Sequence, residues 1–124
     1  MTWNLFIDDE RYLDDVTWAP WEVREKYRNE QWVIVRNVAS ACSEIVNRGM
    51  PSFISFDHDL GQDQPSGYEL VKILIADALD YPDQEEYQFP KDFSFYVHSQ
   101  NPIGKASIEA LINGYMEFKN AGLL

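Results

Sequence analysis

The chain has 124 residues, of which 45% are hydrophobic and 15% aromatic, a length and composition typical of one folded domain and too apolar for a disordered protein. Its formal net charge of −11 repels nucleic-acid phosphates and anionic membranes, which argues against non-specific binding to either. Cys42 is the only cysteine, so no internal disulfide is expected. No basic N-terminal segment is followed by an apolar run, so no signal peptide is predicted. We therefore expect a single domain over residues 1–124, located in the cytoplasm.

The first half of the chain predicts two strands and two helices. Thr2–Ile7 and Trp32–Val35 are short, nearly continuous apolar runs, which is typical of strands buried on both faces. Between these runs, the secondary structure of segment 14–31 is ambiguous from its pattern, and we expect one helix within it, over Trp21–Arg28. The next helix ends at Gly49 and carries an apolar stripe at Val38, Ala41, Cys42, Ile45 and Val46.

The second half of the chain continues the alternation of strand and helix. Ser52–Phe56 and Phe93–Val97 are the predicted strands, and a polar loop is expected over 80–91. One helix begins at Ser66 or Gly67, with its apolar stripe at Tyr68, Val71, Ile75, Ala78 and Leu79. The last helix has its stripe at Ile108, Leu111, Ile112, Tyr115 and Met116. This order predicts an α/β domain with a parallel sheet, and we find no fifth strand.

Acidic residues follow two of the predicted strands. Asp8 and Asp9 come after the first strand, and Asp57 comes after the third. Ligands of open α/β sheets bind at the carboxyl ends of the strands, so these side chains converge if the two strands are neighbours. Crowded carboxylates repel unless a cation neutralises them, and Mg²⁺ prefers such oxygen ligands. We predict a magnesium site of these three residues, with a cluster of solvated acids as the alternative.

Both histidines of the chain also follow predicted strands. His58 lies between Asp57 and Asp59, and His98 precedes Ser99. Imidazole titrates near neutral pH, so two such groups on opposite sides of a phosphorus suit general acid–base catalysis. The alternative is that each histidine is structural and bonds a backbone carbonyl, and the pattern does not assign which is acid and which is base.

The turn after the fourth strand offers groups that bind phosphate. Ser99 supplies a hydroxyl, Asn101 an amide, and the following helix start supplies free N–H groups. Lys105 and Arg11 add positive charge. We predict that Arg11, Asn101 and Lys105 bind phosphate, whereas an ordinary loop with a helix cap is the alternative.

Four segments together resemble the cyclic-phosphate processing receiver domains, a divergent branch of the receiver domains of response regulators. The segments are LFIDDER (Leu5–Arg11), SFDHDLG (Ser55–Gly61), SGYEL (Ser66–Leu70) and VHSQNPIGK (Val97–Lys105). The resemblance implies a three-layer α/β/α fold of the flavodoxin or receiver type, here with about four strands in the order 2-1-3-4. It also implies that Asp57 accepts a phosphoryl group, that Asp8 and Asp9 bind Mg²⁺ with it, and that Ser99 contacts phosphoryl oxygens.

Three functions follow as hypotheses. The first is a phosphoesterase in which Asp57, His58, His98 and Ser99 are catalytic. The resemblance implies that its substrate is an RNA cyclic phosphate end or a cyclic nucleotide, in phage or bacteria. The second is a signalling receiver phosphorylated on Asp57. The third is an acidic, non-enzymatic protein that binds a protein partner through the aromatic segment Trp18–Trp21. The histidines and the lack of a fifth strand favour the first hypothesis over the second.

Overall fold

The computed structural model describes residues 2–123 and contains a four-stranded parallel sheet in the order β2-β1-β3-β4. The strands are β1 (Asn4–Ile7), β2 (Trp32–Val35), β3 (Phe53–Phe56) and β4 (Ser94–Val97). The predicted strand number and order are confirmed. Three strands begin one or two residues later than their apolar runs, because the paired register begins at Asn4, Phe53 and Ser94.

Four α-helices connect and follow the strands: α1 (Trp21–Asn29), α2 (Val38–Arg48), α3 (Gly67–Asp80) and α4 (Pro102–Asn120). Two short 3₁₀ helices cover Leu13–Asp15 and Glu85–Tyr87, the second within the predicted loop. Helix α4 begins earlier than its apolar stripe, because Asn101 caps it and its first turn is largely exposed. Within residues 2–123, no helix is long and apolar enough to cross a bilayer.

The two faces of the sheet carry different cores, so the predicted three-layer arrangement is confirmed. The larger apolar cluster joins Leu5, Ile7, Ile54 and Phe56 to side chains of α2, α3 and α4. The smaller cluster on the opposite face contains Phe6, Val16, Ala19 and Tyr27. Of the four α-helices in residues 2–123, only α1 contributes to this second cluster, which also takes in residues of the segment preceding it.

The strand register places three polar residues side by side. Asp8, Asp57 and His98 each follow the last residue of a strand, and their N–H groups donate to carbonyls of the neighbouring strand at 3.2, 2.9 and 2.9 Å. The ladder therefore continues one residue beyond the strands, and these side chains lie at the same carboxyl edge of the sheet.

Gly67 fixes the start of α3 against this edge. A Cβ atom at Gly67 would collide with the backbone carbonyl oxygen of Asp57, which cannot move aside as a flexible side chain can. We predict that Gly67→Ala lowers the free energy of unfolding by about 1–3 kcal/mol, the usual effect of overpacking.

Gly114→Ala is the matched control, because Gly114 lies inside α4 and its added Cβ would have no heavy atom within 4 Å. Alanine is the better helix former, so this change should raise the free energy of unfolding by about 0.5–1 kcal/mol. Urea unfolding of both variants measures the difference, and equal effects would contradict the collision at Gly67.

Candidate active site

Two buried carboxylates form the centre of the site. Asp8 is 0% exposed and Asp57 is 5% exposed. Atom Nη1 of Arg11 lies 3.4 Å from Oδ2 of Asp8 and 3.8 Å from Oδ2 of Asp57, so one guanidinium contacts both groups. The Oδ1 atom of Asp57 accepts a hydrogen bond of 2.8 Å from the N–H of His58.

The environment of the two carboxyl groups favours ionisation of one and opposes ionisation of the other. Burial alone would raise the pKa of Asp8, but the bond from His98 and the N–H groups of Arg11 and Glu10 outweigh it and hold that pKa far below its usual value. Burial, together with the charge of Asp8, raises the pKa of Asp57. Asp8 is therefore the anion that the structure stabilises, and Asp57 is the group that is costly to ionise.

His98 lies inside the protein and is 0% exposed. Its Nε2 is 3.0 Å from Oδ2 of Asp8, and its Nδ1 is 2.8 Å from Oγ of Ser55. The Ser55 hydroxyl is in turn 2.6 Å from the Tyr27 hydroxyl, and the ring of Phe6 stacks on the imidazole at 4.5 Å. Both ring nitrogens are thus bonded to protein groups, and neither is free to bond a ligand directly.

His58 is more accessible, with a side chain that is 22% exposed. Its Nδ1 is 2.9 Å from Oδ1 of Asp59, whose Oδ2 accepts a bond of 3.2 Å from the Asn101 amide. The imidazole packs against Gly104, where a Cβ atom would collide with it. Among the described residues, Nε2 of His58 has no hydrogen-bond partner, whereas both ring nitrogens of His98 have one.

A cavity of about 740 Å³ opens at this edge of the sheet. Its polar lining includes five of the residues that the sequence predicted for the site: Asp9, Arg11, Asp57, Ser99 and Asn101. Gln64, Ser66 and Gln100 also line the cavity, although none of them was predicted as a site residue. Five of the predicted residues therefore line one cavity.

The other predicted residues do not line this cavity. Asp8 and His98 are buried behind it, and His58 adjoins it through Asp59. Lys105 lies on α4 with Nζ 4.9 Å from the centre of the Tyr96 ring. The structure does not bring Lys105 to the phosphate-binding position that its place in the sequence predicted.

Three side chains at the centre of the site form a group that could hold a metal ion. Asp8, Asp57 and His98 each offer one ligand atom, and these atoms lie within 4.8 Å of one another. The two carboxylates are the oxygen donors that Mg²⁺ prefers, whereas Nε2 of His98 already bonds Asp8. Asp9, the third predicted ligand, lines the cavity but is not part of this cluster.

A family model described as the cyclic-phosphate processing receiver domain matches residues 3–114, which extend from the residue before β1 well into α4. The chain belongs to this family. No curated protein and no solved structure matched it. The match includes the two central carboxylates, both histidines and the whole lining of the cavity of this receiver domain.

The receiver domain holds Arg11 by contacts that the sequence did not reveal. Its Nη2 donates to Oε1 of Gln100 at 3.1 Å, and its Cζ lies 5.0 Å from the centre of the Trp18 ring. The Trp18 indole donates to the carbonyl of His98 at 2.9 Å. These two hydrogen bonds join residues that are 89 and 80 positions apart in the sequence, so they can be recognised only in the folded structure.

The opposite ionisation tendencies of Asp8 and Asp57 predict opposite effects on stability. The raised pKa of Asp57 means that the folded protein binds this proton more tightly than the unfolded chain does. Asp57 therefore contributes less to the free energy of unfolding as the pH rises through that pKa and the group ionises. Asn keeps the acceptor for the His58 N–H, so Asp57→Asn should raise the free energy of unfolding at neutral pH in EDTA.

Asp8→Asn is the matched control, with the same change one strand away. It removes an anion that His98 and two backbone N–H groups stabilise, so it should lower the free energy of unfolding under the same conditions. Urea unfolding of both variants makes the comparison. Destabilisation by Asp57→Asn as large as that by Asp8→Asn would refute the assignment of the two roles.

Proposed function

We propose that this receiver domain hydrolyses a cyclic phosphate diester to a phosphomonoester, with an RNA 2′,3′-cyclic phosphate end or a cyclic nucleotide as substrate. The observation that carries the proposal is the pairing of Asp8 and Asp57 with Arg11 beside a polar cavity. Membership of a family named for cyclic-phosphate processing supports the choice of substrate.

Asp8 and Asp57 are the residues that would hold Mg²⁺, and Asp9 lines the same cavity. The bound ion would supply Lewis-acid polarisation of a phosphoryl oxygen. The raised pKa of Asp57 fits this role, because a nearby cation removes the repulsion that opposes its ionisation.

Arg11 and Ser99 are the proposed phosphate ligands of the protein. The planar guanidinium of Arg11 presents several N–H donors, an arrangement that matches two phosphate oxygens at once. Ser99 lines the cavity next to it. Nδ2 of Asn101 donates a hydrogen bond to Asp59, and Oδ1 of Asn101 accepts one of 3.0 Å from the N–H of Gly104. Asn101 therefore also stabilises the loop that carries His58.

Ring opening needs two proton transfers. Water attacks phosphorus and loses a proton, while the ring P–O bond breaks and the departing alkoxide oxygen gains one. His58 is the proposed carrier of one of these protons through Nε2, with Nδ1 oriented by Asp59, and solvent carries the other. His98 would support Asp8 rather than contact the substrate, because both of its nitrogens are engaged inside the protein.

The role of His58 predicts a large kinetic effect. His58→Gln should lower kcat for a 2′,3′-cyclic mononucleotide, in the presence of Mg²⁺, by about 10²–10⁴-fold, because general acid–base catalysis contributes that much. Lys72→Gln, an exposed change on α3 away from the cavity lining, is the control and should leave kcat unchanged. Wild-type turnover in His58→Gln would remove His58 from the mechanism.

Trp18 favours a nucleotide among the cyclic phosphates. The indole is fixed by its bond to the His98 carbonyl and by Arg11, yet it remains 37% exposed. The guanidinium of Arg11 lies between the Trp18 indole and Asp57. A nucleotide whose phosphate binds at the carboxylates would therefore have its base within reach of the indole. Stacking of a base on an aromatic side chain is worth about 1–3 kcal/mol.

Stacking on Trp18 predicts a substrate-dependent change. Trp18→Leu should raise KM for a 2′,3′-cyclic mononucleotide by about 5–150-fold, the equivalent of that stacking energy, with a smaller effect on cyclic glycerol phosphate, which has no base. Trp21→Leu, at a tryptophan that is 68% exposed, is the control. Equal effects of Trp18→Leu on the two substrates would show that Trp18 only supports Arg11.

A second candidate function is phosphoacceptor signalling, which the position of Asp57 in the cavity beside Ser99 favours. It predicts that a small acyl phosphate with Mg²⁺ adds one phosphoryl group to Asp57, visible as a mass gain that Asp57→Asn abolishes. Hydrolysis of cyclic phosphates without such labelling supports the esterase instead.

A further inference from the structure

Four buried side chains form one line of hydrogen bonds that leads from the second face of the sheet to the candidate metal site. Tyr27 contacts Ser55 at 2.6 Å, Ser55 contacts Nδ1 of His98 at 2.8 Å, and Nε2 of His98 contacts Asp8 at 3.0 Å. Tyr27 is 6% exposed and the other three are 0% exposed. Water therefore has little access to the line, and the protein groups themselves must satisfy one another.

The chemistry of these groups fixes the direction of every hydrogen along the line. Oδ1 of Asp8 accepts two backbone N–H groups, and an ionised carboxylate can only accept, so Nε2 of His98 must donate. If Nδ1 also carried a hydrogen, Ser55 would accept it and turn its own hydrogen towards Tyr27. The Tyr27 hydroxyl hydrogen would then have no acceptor among residues 2–123.

The opposite order satisfies every group. Tyr27 donates to Ser55, Ser55 donates to Nδ1, and Nε2–H donates to Asp8. Leaving a buried donor without an acceptor costs about 1–3 kcal/mol, so this order is the favoured one. Burial also raises the pKa of Tyr27, which keeps its hydroxyl protonated and able to donate.

We infer that Tyr27 and Ser55 are positioning residues of the site, which hold His98 with Nδ1 as the acceptor from Ser55 and Nε2–H as the donor to Asp8, and thereby fix the carboxylate of Asp8 towards its ligand. Phe6 sets the plane of the imidazole by stacking at an interplanar angle of 2°. The hydrogen-bond order does not depend on the proposed function, whereas its effect on Mg²⁺ binding rests on the metal site proposed there.

Nitrogen NMR of the wild-type protein tests the tautomer directly. The chain has two histidines, so two-bond ¹H–¹⁵N spectra contain two rings, and His58→Gln assigns them. We expect the shift of a protonated nitrogen at Nε2 of His98 and that of an unprotonated nitrogen at Nδ1, at neutral pH in EDTA. A protonated Nδ1 in the wild type would overturn the inference whatever the variants do.

Tyr27→Phe tests the directing role with little change in shape. Ser55 keeps its contact with His98 but loses the hydrogen bond from Tyr27 that orients its hydroxyl, so the bond from Ser55 to Nδ1 should weaken and the Nδ1 shift should move towards that of an unbonded nitrogen. Tyr96→Phe is the matched control, because Tyr96 packs against the same apolar cluster and its hydroxyl makes no hydrogen bond within residues 2–123. An unchanged His98 spectrum in Tyr27→Phe, with reduced stability alone, would show that Tyr27 is structural only.

Ser55→Ala tests the effect on the metal site. It removes the donor to Nδ1 and should weaken Mg²⁺ binding, measured by calorimetry, by about 10–100-fold, the usual effect of losing a group that orients a metal ligand. Altered His98 signals with unchanged Mg²⁺ affinity would overturn the positioning role. If the wild type binds Mg²⁺ and shows the expected tautomer but hydrolyses no cyclic phosphate, the proposed function fails and the positioning role stands.

Discussion

Asp8 and Asp57 are buried at the ends of neighbouring strands, where both desolvation and mutual repulsion oppose ionisation. The surrounding structure stabilises the ionised form of Asp8 but not that of Asp57. Asp8 receives hydrogen bonds from His98 and from two backbone N–H groups, whereas the pKa of Asp57 stays raised. The guanidinium of Arg11 contacts both groups but bonds neither closely. A site built in this way gains most from a cation that neutralises Asp57.

The two faces of the sheet contribute differently to this site. The face towards α2, α3 and α4 is an apolar core that holds the strands in register. The opposite face carries a polar line through Ser55 and His98, which α1 completes with Tyr27. Burying these groups together is tolerable because each is bonded, and no buried side-chain nitrogen or oxygen of the described residues lacks a partner. The rigidity of this second layer would keep Asp8 in one orientation.

The apolar runs predicted the strands and the edge at which the polar residues gather, and the resemblance to the receiver family predicted the strand order. Short apolar runs mark buried strands strongly, and a polar residue directly after each run lies at the carboxyl edge, where Asp8, Asp57 and His98 are neighbours. Side-chain direction was not predictable in the same way. Lys105 turns to Tyr96 because it lies one turn into α4, beyond the capping residue. Ser55 and Tyr27 have no motif that marks them as partners of His98, since their contacts depend on which face of the sheet each one occupies.

Asp8 and Asp57 form the proposed binding site for one divalent cation. Isothermal calorimetry of Mg²⁺ binding to the folded protein, with Asp57→Asn in parallel, tests it most directly. We expect saturable binding of one Mg²⁺ to the wild type and its loss in Asp57→Asn, with both proteins folded. Absence of binding to the folded wild type, or equal binding to Asp57→Asn, would contradict it.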